Sequence, residues 1–444
     1  MLLSLLPILA STLFVAIARW LDRRSADRLP AILDGLLFAS GRRTVTAWFR
    51  PAGITTDFRN AYTAVNAAGR KASSLAFGVF GAVRPLLGRQ RLLVAIDDTP
   101  TKRYGPQVEG AGIHRHPSAG PANEPFLHGH VFVTLAVLAR HPRDGVIALP
   151  LMADMYIREK DVPGLPPERE RVFKTKLQLA AEQLRQVACW CWAGPERFQE
   201  RWVVVDGGYA ARPFLDAARR DGFAVVGRLR KDAALCDLPA PREPGKRGRP
   251  RIYGVNRISL AGHGAQSCGG EEVECEQYGE RVTKTVRTFL ATWRPARGVI
   301  RVVMVWEEDH WLAFFCTDPE ATAAEVLSAA ADRNALEQGF KNVKEVWGAG
   351  EQQVRNLHSS EGCFNLDLWM MSIVEAWAWD KEEEDLVDRQ DSPWDSQPRR
   401  PSHADKRKAM QREALRLEIE GALRGRPTKA EIRQMAGRLL ALAT

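Results

Sequence analysis

Two aspartates stand where an ionisable side chain is costly. Asp97 follows the apolar run LLVAI and opens the turn-like DDTP, and Asp206 follows WVVV and opens DGGY. Each run is short and β-branched enough to read as a buried strand, so each carboxylate sits at a strand end. A lone carboxylate in that place usually caps the next turn. Two of them on adjacent strands can instead hold hard divalent cations. A third acid lies on a helical pattern. Leu336, Phe340, Val343 and Trp347 recur at intervals of four, three and four and define a buried stripe, and Arg333, Glu337, Lys341 and Lys344 form a second row beside it. As a solvated face, that row holds i,i+4 ion pairs of ~0.3–0.5 kcal/mol each. As a working face, it sets one metal-binding carboxylate among cations suited to phosphate.

These residues must be positioned by a mixed architecture. Residues 1–90 carry helical apolar spacing and read as a helical domain, with the apolar start Met1–Ala18 as a buried helix. Residues 91–231 alternate strands and helices. Strands are expected at Arg91–Ile96 (ended by a turn containing Pro100), His130–Leu138, Gly145–Leu149, Arg201–Val205 and Phe223–Arg228, and helices at Val172–Cys189 and about Ala211–Arg220. Residues 232–320 read as a β-rich insertion with strands near Glu272–Tyr278, Thr283–Thr292, Val299–Trp306 and His310–Cys316. Residues 321–380 return to helix at Ala321–Val346 and Phe364–Trp379, and 381–444 form an acidic linker and a basic helical tail.

Composition sets limits. The 444 residues carry 63 Lys+Arg against 54 Asp+Glu, with 45% hydrophobic residues, which fits two to four globular units and excludes a wholly disordered or collagen-like chain. The seven cysteines are scattered, without zinc-type spacing, and point to a reducing compartment. Residues 1–90 hold twelve Lys/Arg and only four acids, nearly all of the net +9. Clustered positive charge is what a phosphate-backbone binder presents.

Taken together, Asp97 after LLVAI, Asp206 in VVVDGGY and the row R-x-x-x-E-x-x-x-x-x-x-K (Arg333, Glu337, Lys344) resemble the DDE transposases of bacterial insertion sequences. The likeness is to the branch with a large β-insertion between the second Asp and the Glu. DDTPTKRYGP (97–106), HGH (128–130), FKTKLQLA (173–180), GRLRKDAAL (227–235) and EQQVRN (351–356) fall in the order that family shows. Two positions depart from its pattern: Ala330 stands where a Tyr often precedes the Arg, and Asp98 beside Asp97 leaves the first ligand ambiguous. The family's Asp-x-Thr/Ser favours Asp97.

The resemblance implies an α/β fold with an RNase H-like mixed-sheet core, an inserted β-rich subdomain, an N-terminal helical DNA-binding domain and a C-terminal helical tail. It implies that Asp97, Asp206 and Glu337 are catalytic and bind two Mg²⁺ ions, with Mn²⁺ able to substitute. Arg333, Lys341 and Lys344 would bind DNA phosphates. The activity implied is metal-dependent cleavage of double-stranded DNA at insertion-sequence ends and strand transfer into target DNA. It would be carried out by a homodimer in the synaptic complex, in the bacterial cytoplasm at the nucleoid, with no membrane. A catalytically inactive transposase-derived DNA-binding protein is the alternative, and a carboxylate-pair hydrolase such as a glycosidase a more distant one.

Outside the core, Arg247 and Arg249 belong to the basic loop KRGRPR (246–251), whose RGRP resembles an AT-hook and recurs at 424–427. His114, His116, His128 and His130 lack supporting ligands for a metal site. Most Trp residues read as core, with Trp306 and Trp311 as candidates to stack on an extruded base.

Overall fold

The computed structural model describes residues 18–430 except 57, 116–124, 194–197, 243–247, 266–269, 309, 389–398 and 425–426, and beyond them 432, 433 and 436. Met1–Ile17, His116, Arg247 and the central Gly425 and Arg426 of the second RGRP therefore lie outside the described residues.

A short helix, α1 (Arg23–Ala26), leads into α2 (Leu29–Phe38), α3 (Val45–Phe49), α4 (Phe58–Arg70) and α5 (Ala72–Val83). Asp22 and Thr44 cap α1 and α3 by accepting backbone N–H bonds from Ser25 and Ala47. The sheet then begins with β1 (Arg91–Lys102), β2 (Gly112–Arg115), β3 (Phe126–His141) and β4 (Gly145–Tyr156). After α6 (Lys176–Ala193) come β5 (Glu200–Val205), α7 (Arg212–Arg220) and β6 (Ala224–Arg228). The insertion supplies β7 (Leu235–Cys236), β8 (Arg257–Ile258), α8 (Leu260–Ala265), β9 (Glu271–Gln277), β10 (Glu280–Trp293), β11 (Gly298–Trp306) and β12 (Trp311–Cys316). Helices close the chain: α9 (Ala323–Asp332), α10 (Asn334–Glu345), α11 (Leu357–Ala378), α12 (Glu383–Leu386) and α13 (His403–Arg424).

One 12-stranded sheet runs β2-β3-β1-β5-β6-β12-β11-β10-β7-β8, with β4 also on β3 and β9 on β10. Around its centre, β3 and β4 are antiparallel to their neighbours while β5 lies parallel to both β1 and β6. This is the RNase H-like mixed α/β core that the sequence resemblance implies. The insertion continues the same sheet, because β12 pairs antiparallel with β6 in register Phe315↔Gly227.

The strand at Asp97 is longer than the sequence reading allows. Pro100 is not in a turn; it pairs with Val131 inside β1. β5 ends beside Ile96, so from there β1 has only β3 as a neighbour. Arg103 N–H donates to His128 O, and N–H direction alternates along a strand, so the Pro100 nitrogen faces the free side and no ladder bond is lost. The helical pattern 321–346 likewise divides into two helices that meet at Arg333.

Helix α11 is the axle of the molecule, with nearly every residue buried. Its side chains also satisfy the outer edge of β4: Asn365 bonds both backbone groups of Ala153, Trp369 Nε1–H donates to Leu151 O, and Ser372 Oγ–H donates to Pro150 O. On its other side α4 comes within backbone contact. A Cβ on Gly69 would lie 1.9 Å from His358 O, and one on Gly362 would lie 2.1 Å from Val65 O.

The basic tail is docked. Arg407 on α13 is buried and donates to the carbonyls of Leu36, Leu37 and Ala39 at the end of α2 and to Val346 O at the end of α10. Four carbonyls that a helix end leaves unbonded thus gain one guanidinium. Among the described residues no helix is long and apolar enough to cross a membrane.

Candidate active site

Asp97 and Asp206 come together because β1 and β5 are parallel neighbours. Ile96 pairs with Val205, so Asp206 leaves β5 at the level where Asp97 continues β1. Glu337, in the first turn of α10, is joined to this pair through Arg333. Arg333 Nη1 lies 2.6 Å from Asp97 Oδ2, and Nη2 lies 2.5 Å from Glu337 Oε1. Leu336, Phe340, Val343 and Trp347 are buried, so the apolar stripe aims this row at the strand ends.

Asp97 has a pKa pushed up to about 6. Burial is the largest cause, opposed by Arg333 and by the Asp98 N–H, and reinforced by the charges of Asp98 and Asp206. A carboxylate in this state is short of positive charge even with a guanidinium in contact.

Asp98 faces the other way, as strand alternation requires. Its Oδ1 accepts from Tyr209 Oη–H at 3.0 Å and its Oδ2 lies 2.6 Å from Lys176 Nζ. Of the adjacent pair, Asp97 is the residue turned toward Arg333 and Glu337. Tyr209 and Lys176 were not singled out as site residues by sequence reasoning. The available signals were the Tyr three residues after Asp206 and the Lys that opens α6 within FKTKLQLA.

The remaining cations divide by burial. Lys341 is exposed, while Lys344 is half-buried with its pKa lowered by burial alone. Neither side chain makes an ion pair or hydrogen bond with another described residue. Arg249 is exposed in the insertion, in coil. Trp306 and Trp311 are already covered by α8: Trp306 Nε1–H donates to Gly264 O, and a Cβ on Gly264 would meet Trp311 Nε1 at 2.3 Å. Both tryptophans are half-buried, with one edge of each indole against this helix.

The stretch EQQVRN also has a structural explanation. Glu351 accepts from the Arg43 N–H, Gln352 O accepts from Arg103 Nη1–H, and Asn356 caps α11 while its side chain accepts from Asn66. It ties the N-terminal helices to the far end of β1. His130 belongs to the same tie, accepting from Arg103 Nε–H at Nδ1 and donating from Nε2 to Glu109 O, with burial pressing its pKa to about 3. It is a neutral core histidine.

The donor set of Asp97, Asp206 and Glu337 is all carboxylate oxygen, which suits a hard divalent ion. The charge deficit at Asp97 fits such an ion. As the side chains stand, no three His, Cys, Asp or Glu among the described residues converge on a point, and Arg333 spans two of the three acids.

A central sheet of RNase H-like order, with Asp97 within one strand, Asp206 just past the end of its parallel neighbour and Glu337 on an adjoining helix, points to a class: a nuclease of the DDE type. Residues 17–294, well over half the chain, match the family described as DDE superfamily endonuclease, and the chain belongs to that family. The matched span holds Asp97 and Asp206, and Glu337 lies beyond it. No curated protein matches the chain. The family's activity is endonucleolytic, its substrate class is DNA, and it generally uses divalent metal ions.

Proposed function

We propose that this chain is a DNA transposase that cleaves the ends of a bacterial insertion sequence and transfers the freed strands into target DNA, acting at the nucleoid in the cytoplasm. The observation that carries the reading is the register Ile96↔Val205, which brings Asp97 and Asp206 to one sheet end beneath Arg333 and Glu337. Asp97, Asp206 and Glu337 are the residues that would hold Mg²⁺ or Mn²⁺. When bound, such ions supply the charge that activates an attacking oxygen and steadies a departing 3′ oxygen.

The chain's own residues account for substrate placement. Lys341 and Lys344 continue the Glu337 row and offer two ammonium groups to a backbone that passes the site, and Lys344 in its half-buried place gains most from a phosphate partner. Arg333 holds Asp97 and Glu337 at a fixed separation and carries positive charge to the point where phosphate must come. The excess charge of residues 1–90 supports recognition of the element's end by the N-terminal helices, and Arg249 with Arg247 supports backbone contact from the insertion. Synapsis of two ends calls for a homodimer.

The test is a nicking and strand-joining assay on DNA bearing the gene's own flanking sequences, with Mg²⁺ or Mn²⁺, comparing wild type with Glu337→Gln. Cleavage lost in Glu337→Gln with DNA binding retained is the expected result. Binding by wild type without cleavage in either metal would replace this reading with that of an inactive DNA-binding descendant.

A further inference from the structure

The pair Asp97-Asp98 poses a question of division of labour. Its two carboxylates are adjacent in sequence yet project from opposite faces of β1. Asp97 turns to Arg333, whereas both oxygens of Asp98 are engaged elsewhere: Oδ1 by Tyr209 Oη–H at 3.0 Å and Oδ2 by Lys176 Nζ at 2.6 Å.

Those partners come from separate elements. Tyr209 belongs to the turn that begins at Asp206, and its backbone N–H closes that turn by donating to Asp206 O at 2.9 Å. The ring is buried, set edge-on to Phe214 of α7. Lys176 opens α6, with its ammonium 5.6 Å from the centre of the Tyr156 ring on β4. One carboxylate thus ties β1, the β5–α7 turn and α6 together, next to the place where Asp97 and Asp206 must be held at a set spacing. The Asp206 side chain is exposed and has no strand partner of its own beyond Val205, so the turn that carries it depends on Tyr209 for its anchorage.

We infer that Asp98, Tyr209 and Lys176 form a positioning unit that sets Asp206 against Asp97, with Asp98 its anchor and not a cation ligand. The inference rests on the proposed active site, since it assigns what holds the two ligands in place. Loss of the Tyr209 hydroxyl leaves the ring and its packing intact but frees the turn, so the cost falls on metal affinity. Groups that orient metal ligands typically change affinity by about 10- to 100-fold when removed.

The experiment is Mn²⁺ binding to the full chain without DNA, read by electron paramagnetic resonance, paired with the Mn²⁺ dependence of cleavage. Tyr209→Phe is expected to weaken Mn²⁺ binding about tenfold or more, to raise the half-saturating Mn²⁺ for cleavage in parallel, and to recover wild-type turnover at saturating metal. Asp98→Asn, which keeps an acceptor for Tyr209 Oη–H but gives up the charge that holds Lys176, is expected to act in the same direction. Asp97→Asn and Asp206→Asn are expected to abolish binding. Wild-type Mn²⁺ affinity in both Tyr209→Phe and Asp98→Asn would overturn the positioning role while leaving the active site standing. Abolished binding in Asp98→Asn with Tyr209→Phe unchanged would make Asp98 a ligand and also overturn it. No Mn²⁺ binding by wild type would sink the active-site reading itself. Should Asp98→Asn melt early, Tyr209→Phe decides alone, as it removes one oxygen and no packing.

Discussion

Glu375→Gln should cost this protein stability that depends on pH in a calculable way. Glu375 is buried in α11, with Oε1 2.6 Å from His403 Nδ1 and Oε2 2.7 Å from Lys406 Nζ, both on α13. His403 Nε2 in turn accepts from Trp347 Nε1–H at 2.8 Å, so the proton it gives Glu375 is on Nδ1. Burial alone would raise the carboxyl's pKa, but Lys406 and His403 outweigh it and hold it at about 2 against an ordinary 4.5. At 1.36 kcal/mol per pKa unit, that difference is worth about 3 kcal/mol. Because the folded-state pKa is the depressed one, the contribution is complete above pH 4.5 and is lost as pH falls toward 2. Asp97 and Asp332, each raised to about 6 by burial, act in the opposite sense, and their contribution is lost as pH rises through that value. Comparing wild type with Glu375→Gln removes those shared terms. Urea unfolding followed by near-ultraviolet circular dichroism should show Glu375→Gln less stable by ~3 kcal/mol at pH 7. The Lys406 left without its buried partner adds to this loss. The gap should narrow by ~2 kcal/mol at pH 3, by the same linkage. A gap equal at pH 7 and pH 3 would refute the argument, since only ionisation of Glu375 makes it pH-dependent.

Three further outcomes follow from the same geometry. Lys344→Ala should weaken DNA binding on any sequence and lower the slope of log affinity against log salt by about 1, measured by fluorescence anisotropy across a salt series, as one phosphate contact requires. Gly362→Ala should destabilise the fold by ~3 kcal/mol or more, because its Cβ would press into Val65 O at 2.1 Å, where neither backbone can yield; a urea midpoint equal to wild type would contradict that contact. Arg407→Met keeps an unbranched side chain but takes the guanidinium from over the Trp347 ring and leaves the carbonyls of Leu36, Ala39 and Val346 without this donor, Leu37 O keeping only its bond from Gln411 Nε2–H. At ~1 kcal/mol per bond, a loss of ~3–4 kcal/mol is expected in the same unfolding experiment.

Much of this molecule is legible in the order of its residues. The two acids after short apolar runs mark where the β1–β5 pairing stops, although β1 itself runs on past Asp97, and the aim of Glu337 follows from a helical stripe ending at Trp347. Both are local patterns, in which side-chain periodicity alone says which positions are buried. What sequence could not supply depends on contacts between distant segments. Pro100 reads as a turn until one knows that β5 stops short of it and leaves that side of β1 free. Asp97 and Asp98 are equivalent as letters, and only the covering of one face by α10 and of the other by α6 and Tyr209 gives them different work. The tail reads only as a basic helix, yet Lys406 finds Glu375 and Arg407 finds the carbonyl ends of α2 and α10, some 370 residues away for Leu37. A charge in a sequence carries no record of its partner. The cost of burying it is met only once the fold has brought opposite charge or unbonded carbonyls to it, and that is settled by tertiary structure.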